Sequence, residues 1–220
     1  MSPARRVYVL AITLWTVAIA VALIVDYPIS SWIYKTGLYG AIRWSRAAQI
    51  VKAAGTFYLS IAAGLILLLW RGYGLRSALL IWLSGSIAGL YYTLAKWVAG
   101  RSRPIYDLYV FNKRPFTFDF FHGGLRGLVI SHSNLSFPSG HACVAFASAS
   151  ALAMMMPRWR AAFYAAAIAV AVQRVFEGSH YLSDTIAGAG FGVLSALTAA
   201  WVLRGIQLYP QSLNLKPNSR

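Results

Sequence analysis

Arg174-Val-Phe-Glu-Gly-Ser-His180-Tyr-Leu-Ser-Asp184 lies at the seam of two long apolar stretches. Ala161–Gln173 leads into it and Tyr181–Leu203 leads out. With their flanks these read as membrane helices over about residues 161–176 and 181–203. Ionisable side chains at such a seam are costly, and they mark function. His180 and Asp184 stand four apart, which predicts one helical face and hydrogen-bond reach. A carboxylate on one imidazole nitrogen would fix the tautomer and leave the other nitrogen to attack or to bind metal. Arg174 lies six residues before His180, the wrong angle for one continuous helix. Gly178 and Ser179 offer a turn between them. Arg174 is therefore expected to end one helix, and His180 and Asp184 to open the next. Arginine presents a planar fork suited to phosphate. An oriented nucleophile beside an anion clamp points to phosphoryl transfer. A satisfied interhelical His–Asp pair would use the same residues, and this stretch alone does not choose.

Composition sets the medium. The chain has 220 residues, 59% of them hydrophobic and 11% charged, with mean hydropathy +0.58. Soluble domains carry about 25% charged residues. The expectation is an all-α polytopic membrane protein, one domain over residues 1–220 with six transmembrane helices in one bundle. The spans read as about 7–25, 53–70, 77–95, 138–156, 161–176 and 181–203. A net charge of +15 would suggest nucleic acid in a soluble chain. Here the cations sit in short loops between apolar runs, so anionic lipid headgroups are the better partner and nucleic acid is not expected. The single cysteine, Cys143, lies inside an apolar run and reads as a packing residue. Val7–Val25 follows Arg5 and Arg6 as a signal peptide would, but Asp26-Tyr-Pro-Ile offers no small-residue cleavage site, so a retained first span is expected. Tyr27–Lys52 mixes aromatics with basic residues and reads as an amphipathic segment at the interface.

Two further constellations flank spans. Lys96 and Arg103 stand seven apart, two helical turns, so one face could carry both before Pro104 stops the helix. Two cations there would clamp an anion, although basic flanking of membrane helices is common. In Ser136-Phe-Pro138-Ser139-Gly140-His141, Pro138 suits the first turn of a helix that continues into the apolar run 142–156. Ser139, Gly140 and His141 then lie at a helix N-terminus, which favours an anion. His141 could donate a proton to a leaving oxygen. Gly85 with Gly89, and Gly188 with Gly192, have the small-residue spacing of close helix packing. Residues 105–135 form the longest loop, rich in aromatics and cations, and could cap the site. Its His122 and His132 read as solvated.

Six spans place both termini and the two tight turns, Arg71–Arg76 and Pro157–Arg160, on one side, with nine cations and no acid. These acid-free turns read as cytoplasmic. The three constellations fall on the opposite, outer face.

Taken together the constellations resemble the signature of the type 2 phosphatidic acid phosphatase family. Its pattern is Lys-x6-Arg-Pro, then Pro-Ser-Gly-His, then Ser-Arg-x5-His-x3-Asp. Lys96, Arg103 and Pro104 match the first, residues 138–141 the second, and Arg174, His180 and Asp184 the third. Gln173 stands where the family has Ser, and could still donate to phosphate. The resemblance implies a six-helix core and a two-step hydrolysis without metal or other cofactor. His180 would attack phosphorus and form a phosphohistidine, Asp184 would orient it, and His141 would protonate the leaving oxygen and then activate water. Lys96, Arg103, Arg174, Ser139 and the Gly140 amide would hold the phosphoryl oxygens. The substrate implied is an envelope lipid phosphate or diphosphate: undecaprenyl diphosphate or lipid A favoured, phosphatidate or phosphatidylglycerol phosphate as alternatives. The location implied is a bacterial inner membrane with the site on the periplasmic face. No sequence feature sets an oligomeric state. Transfer to a second lipid instead of water is a second enzymatic reading. A transporter lined by Arg, His and Asp is a third, disfavoured because the polar residues cluster at one face instead of crossing the bilayer.

Overall fold

The computed structural model describes residues 2–70, 72–105, 118–121, 124 and 134–205. Within them the chain is helical, with α1 at Pro3–Lys35, α2 at Leu38–Trp44, α3 at Arg46–Ala53, α4 at Phe57–Leu69 and α5 at Leu75–Ala99. Then come α6 at Gly140–Met155, a 3-10 turn at Pro157–Trp159, α7 at Arg160–Phe176 and α8 at Leu182–Gly205. No strand occurs among the described residues, only an isolated bridge between Ser102 and Leu135. Three helices, α1, α5 and α8, are long and apolar enough to cross a membrane, and the bent pair α3–α4 makes up to four.

The first helix departs from expectation. A span over 7–25 was expected to stop before Asp26, yet α1 runs on to Lys35 with Pro28 inside it. Asp26 is not a boundary: it is wholly buried against the rest of the protein. Only Leu38–Ala53 of the mixed segment forms short separate helices, and α3 meets α4 at a 62° bend. The second expected span, 53–70, is thus a 13-residue helix preceded by a break.

The small residues of α6 make it the centre, packed by α5, α7 and α8. Cys143 is buried there with Ala88, Val144 and Ala147, as a packing residue should be. The α6–α8 contact is backbone against backbone. A Cβ on Gly188 would stand 2.5 Å from the Ser139 carbonyl oxygen, and one on Gly192 2.3 Å from that of Cys143. The other glycine pair divides: Gly85 lies under the Phe57 ring, while Gly89 faces open space. Across α8, α1 seats the Trp15 indole on Gly190 and donates from Nε1 to the Ile186 carbonyl at 2.9 Å.

Candidate active site

The ends of α5 and α7 and the starts of α6 and α8 meet at one end of the bundle, and the motif residues lie there. α5 ends because Gly100 takes the left-handed conformation, φ 59°, which a glycine adopts without strain. Lys96 is in the last turn before that cap, whereas Arg101 and Arg103 lie beyond it. The expectation that Lys96 and Arg103 share a helical face is therefore corrected: a glycine cap separates them. Lys96, buried, donates from Nζ to the Leu135 carbonyl at 2.6 Å. Arg103 is half-buried outside the helix.

Residues 135 and 136 are a peg between motifs. Ser136 N donates to the Arg101 carbonyl at 2.6 Å and Ser136 Oγ to that of Ser102 at 2.7 Å. Ser139 is the N-cap of α6 and its Oγ accepts from Ala142 N. Pro138 precedes that cap instead of opening the first turn as expected. Ser139 N donates to the Asp184 carbonyl at 2.9 Å, so the N-termini of α6 and α8 are fastened together. Gly140 and His141, both half-buried, open the first turn of α6.

Gly178, at φ 68°, makes the turn between α7 and α8. His180 sits in that turn, since α8 begins only at Leu182. The i,i+4 geometry expected of His180 and Asp184 is accordingly not met. His180 Nδ1 is 3.8 Å from Asp184 Oδ2, outside hydrogen-bond range. His180 Nδ1 instead donates to the Ser136 carbonyl at 2.8 Å. A backbone carbonyl thus sets the tautomer and leaves Nε2 with the lone pair. Burial first, then the charges of Arg174, Lys96 and Arg103, hold His180 well below its ordinary pKa. It is a neutral imidazole in cationic surroundings, with His141 also near enough to act on it.

Asp184 has other partners. Its Oδ2 accepts from Tyr181 N at 2.8 Å and its Oδ1 from Arg101 Nη1 at 2.7 Å. Arg101 also reaches Asp26 Oδ2 through Nη2 at 2.9 Å, and its guanidinium lies 4.0 Å from the Tyr181 ring centroid. Burial works against its charge, but Asp184, Asp26 and Tyr181 outweigh that and raise its pKa. Arg174, in the last turn of α7, pairs with Glu177, the α7 C-cap. Glu177 also takes Lys52 Nζ at 3.2 Å and Gln173 Nε2 at 2.8 Å. Burial opposes the Glu177 charge, yet Arg174, Gln173 and Lys52 together hold its carboxyl below the ordinary value. Gln173, which could donate to phosphate, here gives one amide hydrogen to Glu177.

Arg101, Asp26, Glu177 and Ser136 were missed by sequence reasoning. For Asp26 the signal existed: an acid beside an apolar run needs a buried partner. Apart from Ile105, Phe118–Phe121, Gly124, Asn134 and Leu135, the capping reading of residues 105–135 lies outside the described residues, as do His122 and His132. An apolar cavity of about 140 Å³ between α4, α6 and α7 has none of the motif residues in its lining. Among the described residues no group of three or more His, Cys, Asp or Glu is placed to hold a metal ion.

Four helix ends, two buried arginines and a neutral histidine thus gather, among the described residues, at one end of an Ala/Gly-packed bundle. The chain belongs to the PAP2 superfamily, whose model matches residues 73–207. It is 39% identical over 118 residues to a lipid A 1-phosphatase of Rhizobium johnstonii, a match covering 52% of this chain and 43% of that one. It is 34% identical over 80 residues to the bacitracin transport permease protein BcrC of Bacillus licheniformis, covering 36% of this chain and 39% of the relative. The chain thus matches under half the length of these curated relatives. Among solved structures it resembles Aquifex aeolicus LpxE, with TM-score 0.53 at 16% identity over 76% of this chain and 94% of that one. It also resembles a transmembrane PAP2-type phosphatidylglycerolphosphate phosphatase from Bacillus subtilis, with TM-score 0.50 at 18% identity over 88% and 99% of the two chains. At these identities the two likenesses bear on the fold alone.

Proposed function

We propose that this protein is a membrane lipid phosphate phosphatase acting through a phosphohistidine at His180. One observation carries the reading: a buried imidazole, its Nδ1 tied to the Ser136 carbonyl, lies in the field of Lys96, Arg103, Arg174 and His141. In this scheme Nε2 gives its lone pair to phosphorus and the bond from phosphorus to the lipid oxygen breaks. The leaving oxygen takes its proton from His141. Water, deprotonated by His141, then attacks the phosphohistidine, the P–N bond breaks and phosphate leaves. Lys96, Arg103, Arg174, Ser139 and the Gly140 amide hold the phosphoryl oxygens, which fits a reaction governed by positioning and charge. Asp184 acts on His180 through Tyr181 N and the surrounding field instead of by a direct bond. The reaction uses no metal.

Residues 1–220 form one domain of six spans, with the short helices α4, α6 and α7 completing the count. The site opens on the outer, periplasmic face of a bacterial inner membrane. The substrate is an envelope lipid with a phosphate or diphosphate. Lipid A 1-phosphate comes first, supported by the name of the relatives 39% and 38% identical. Undecaprenyl diphosphate follows.

The test is a panel of purified lipid phosphates in detergent micelles with phosphate release as readout. Wild type should hydrolyse at least one in EDTA, vanadate should inhibit, and His180→Ala should abolish turnover. His141→Ala should lose about 10²–10⁴ of the rate. Full turnover by His180→Ala would sink the mechanism, and loss in EDTA restored by a divalent ion would sink its metal independence. A second lipid appearing as phosphorylated product would replace hydrolysis with transfer.

A further inference from the structure

The buried charge of α1 has no part in that scheme. Asp26 is 0% exposed, and its helix lies wholly outside the residues matched to the family. Asp26 Oδ1 accepts from Ser183 N at 3.0 Å, in the first turn of α8. Its Oδ2 accepts from Ser183 Oγ at 2.5 Å and from Arg101 Nη2 at 2.9 Å. Arg101 Nη1 in turn donates to Ser183 Oγ at 2.8 Å and to Asp184 Oδ1 at 2.7 Å. Two carboxylates from distant parts of the chain therefore share one guanidinium, and one of them caps the helix that the other begins. Asp184 Oδ2 then holds Tyr181 N, the residue after His180, and the Arg101 carbonyl holds Ser136 N, whose own carbonyl holds His180 Nδ1. Both tethers of His180 pass through Arg101.

We propose that Asp26 of α1 is a positioning residue for His180, acting through Arg101 and Ser183. It touches no reacting group. A carboxylate there divides the guanidinium between two anions. Without it, Arg101 would draw wholly onto Asp184, and the Tyr181–Asp184 turn would shift with it. Buried networks of this kind are cooperative, so the loss spreads to the next link. Displacing a nucleophile by about 1 Å costs up to about 100-fold in rate. Lys96 is held by the Leu135 carbonyl and Arg174 by Glu177, apart from the Asp26 network, so binding should persist.

This inference rests on the phosphatase reading, and its test is arranged to fail separately. Asp26→Asn keeps the shape and removes the charge. In the full chain in micelles, kcat per folded molecule should fall about 10- to 100-fold. KM and the vanadate inhibition constant should stay within about twofold. Ser183→Ala, a milder change that keeps both charges, should lower kcat less, and adding it to Asp26→Asn should add little, as expected within one network. Modification of His180 by diethyl pyrocarbonate, located by mass spectrometry, should quicken in both variants, because its turn opens more readily. An unchanged kcat and an unchanged His180 modification rate would overturn the proposal. So would a loss explained by the folded fraction alone, or independent effects of Asp26 and Ser183. If Asp26→Asn does not fold, Ser183→Ala decides by the same readouts. If wild type cleaves no lipid phosphate, the phosphatase reading falls while the modification rates still decide the positioning role.

Discussion

Among the described residues two arginines are buried at this end of the bundle, and they are held in opposite ways. Arg101 is 0% exposed and divided between Asp26 and Asp184, with Tyr181 beneath it. Arg174 is 3% exposed and pairs with Glu177, and its Nε has no hydrogen-bond partner among the described residues. Glu177 is itself shared with Lys52 and Gln173, and Gln173 Oε1 is likewise unpartnered among them. Buried donors are ordinarily satisfied, so a vacant one beside a neutral histidine suits an incoming oxyanion. The difference separates a cation shared between two carboxylates from one that keeps an unspent Nε donor.

The sharpest break in this comparison is Arg101→Gln, which strands two buried carboxylates. It should cost about 3–5 kcal/mol of stability, seen as a collapse of the melting temperature in detergent. Arg174→Gln should do the reverse. Glu177 keeps Lys52 and Gln173, so the melting temperature should barely move. The catalytic efficiency kcat/KM should fall about 10²–10³-fold, as when one oxyanion donor is lost. Equal melting losses in the two variants would erase the distinction.

A third experiment reaches the Arg101 side without touching a charge. Gly192→Ala puts a Cβ 2.3 Å from the Cys143 carbonyl oxygen and forces α8 off α6. Overpacking of this kind costs about 1–3 kcal/mol. Gly89→Ala, facing open space on α5, should be neutral or gain up to about 1 kcal/mol from helix propensity. A thermal melt of the pair reads the contrast.

The smallest effect is with pH. His180 is held well below its ordinary pKa, so on acidification the unfolded chain takes its proton first. The His180 share of stability should therefore fall as pH drops below about 6.5, by on the order of 1 kcal/mol. The depressed Glu177 adds a loss in the same direction at lower pH. His180→Gln should remove the first part of the decline, and an unchanged melting profile in that variant would show that His180 does not cause it.

The residues at the seam, Lys96, Arg103, Ser139, His141, Arg174, His180 and Asp184, stand out as ionisable and capping groups beside apolar runs, but each group has an ordinary explanation and only the resemblance to a family signature joins them. Their pairing could not be read. The His180–Asp184 spacing predicts a bond only if a helix contains both, and α8 starts after His180. The Lys96–Arg103 spacing failed for a kindred reason, although Gly100 was in view as a stop signal. Asp26 read as the end of a span because its partners lie 75 and 157 residues away, and sequence periodicity is blind at that range. The glycine spacing at Gly188 and Gly192 was legible as close packing, whereas nothing in the spacing of Gly85 and Gly89 told the occupied side from the open one.

The separation of Asp26 from its partners also bears on how the chain is made. α1 emerges before α5 and α8, carrying a carboxylate whose guanidinium is 75 residues behind and whose helix cap is 157 behind. At about 5–20 residues per second, Arg101 leaves the ribosome about 4–15 s after Asp26. Over that interval an unpaired acid costs up to about 2.5–3.5 kcal/mol at the depth of hydrocarbon. α1 is thus on provisional terms with the bilayer, free to ride toward the interface until α8 arrives. The bond from Trp15 to Ile186, 171 residues apart, marks the moment when that freedom ends.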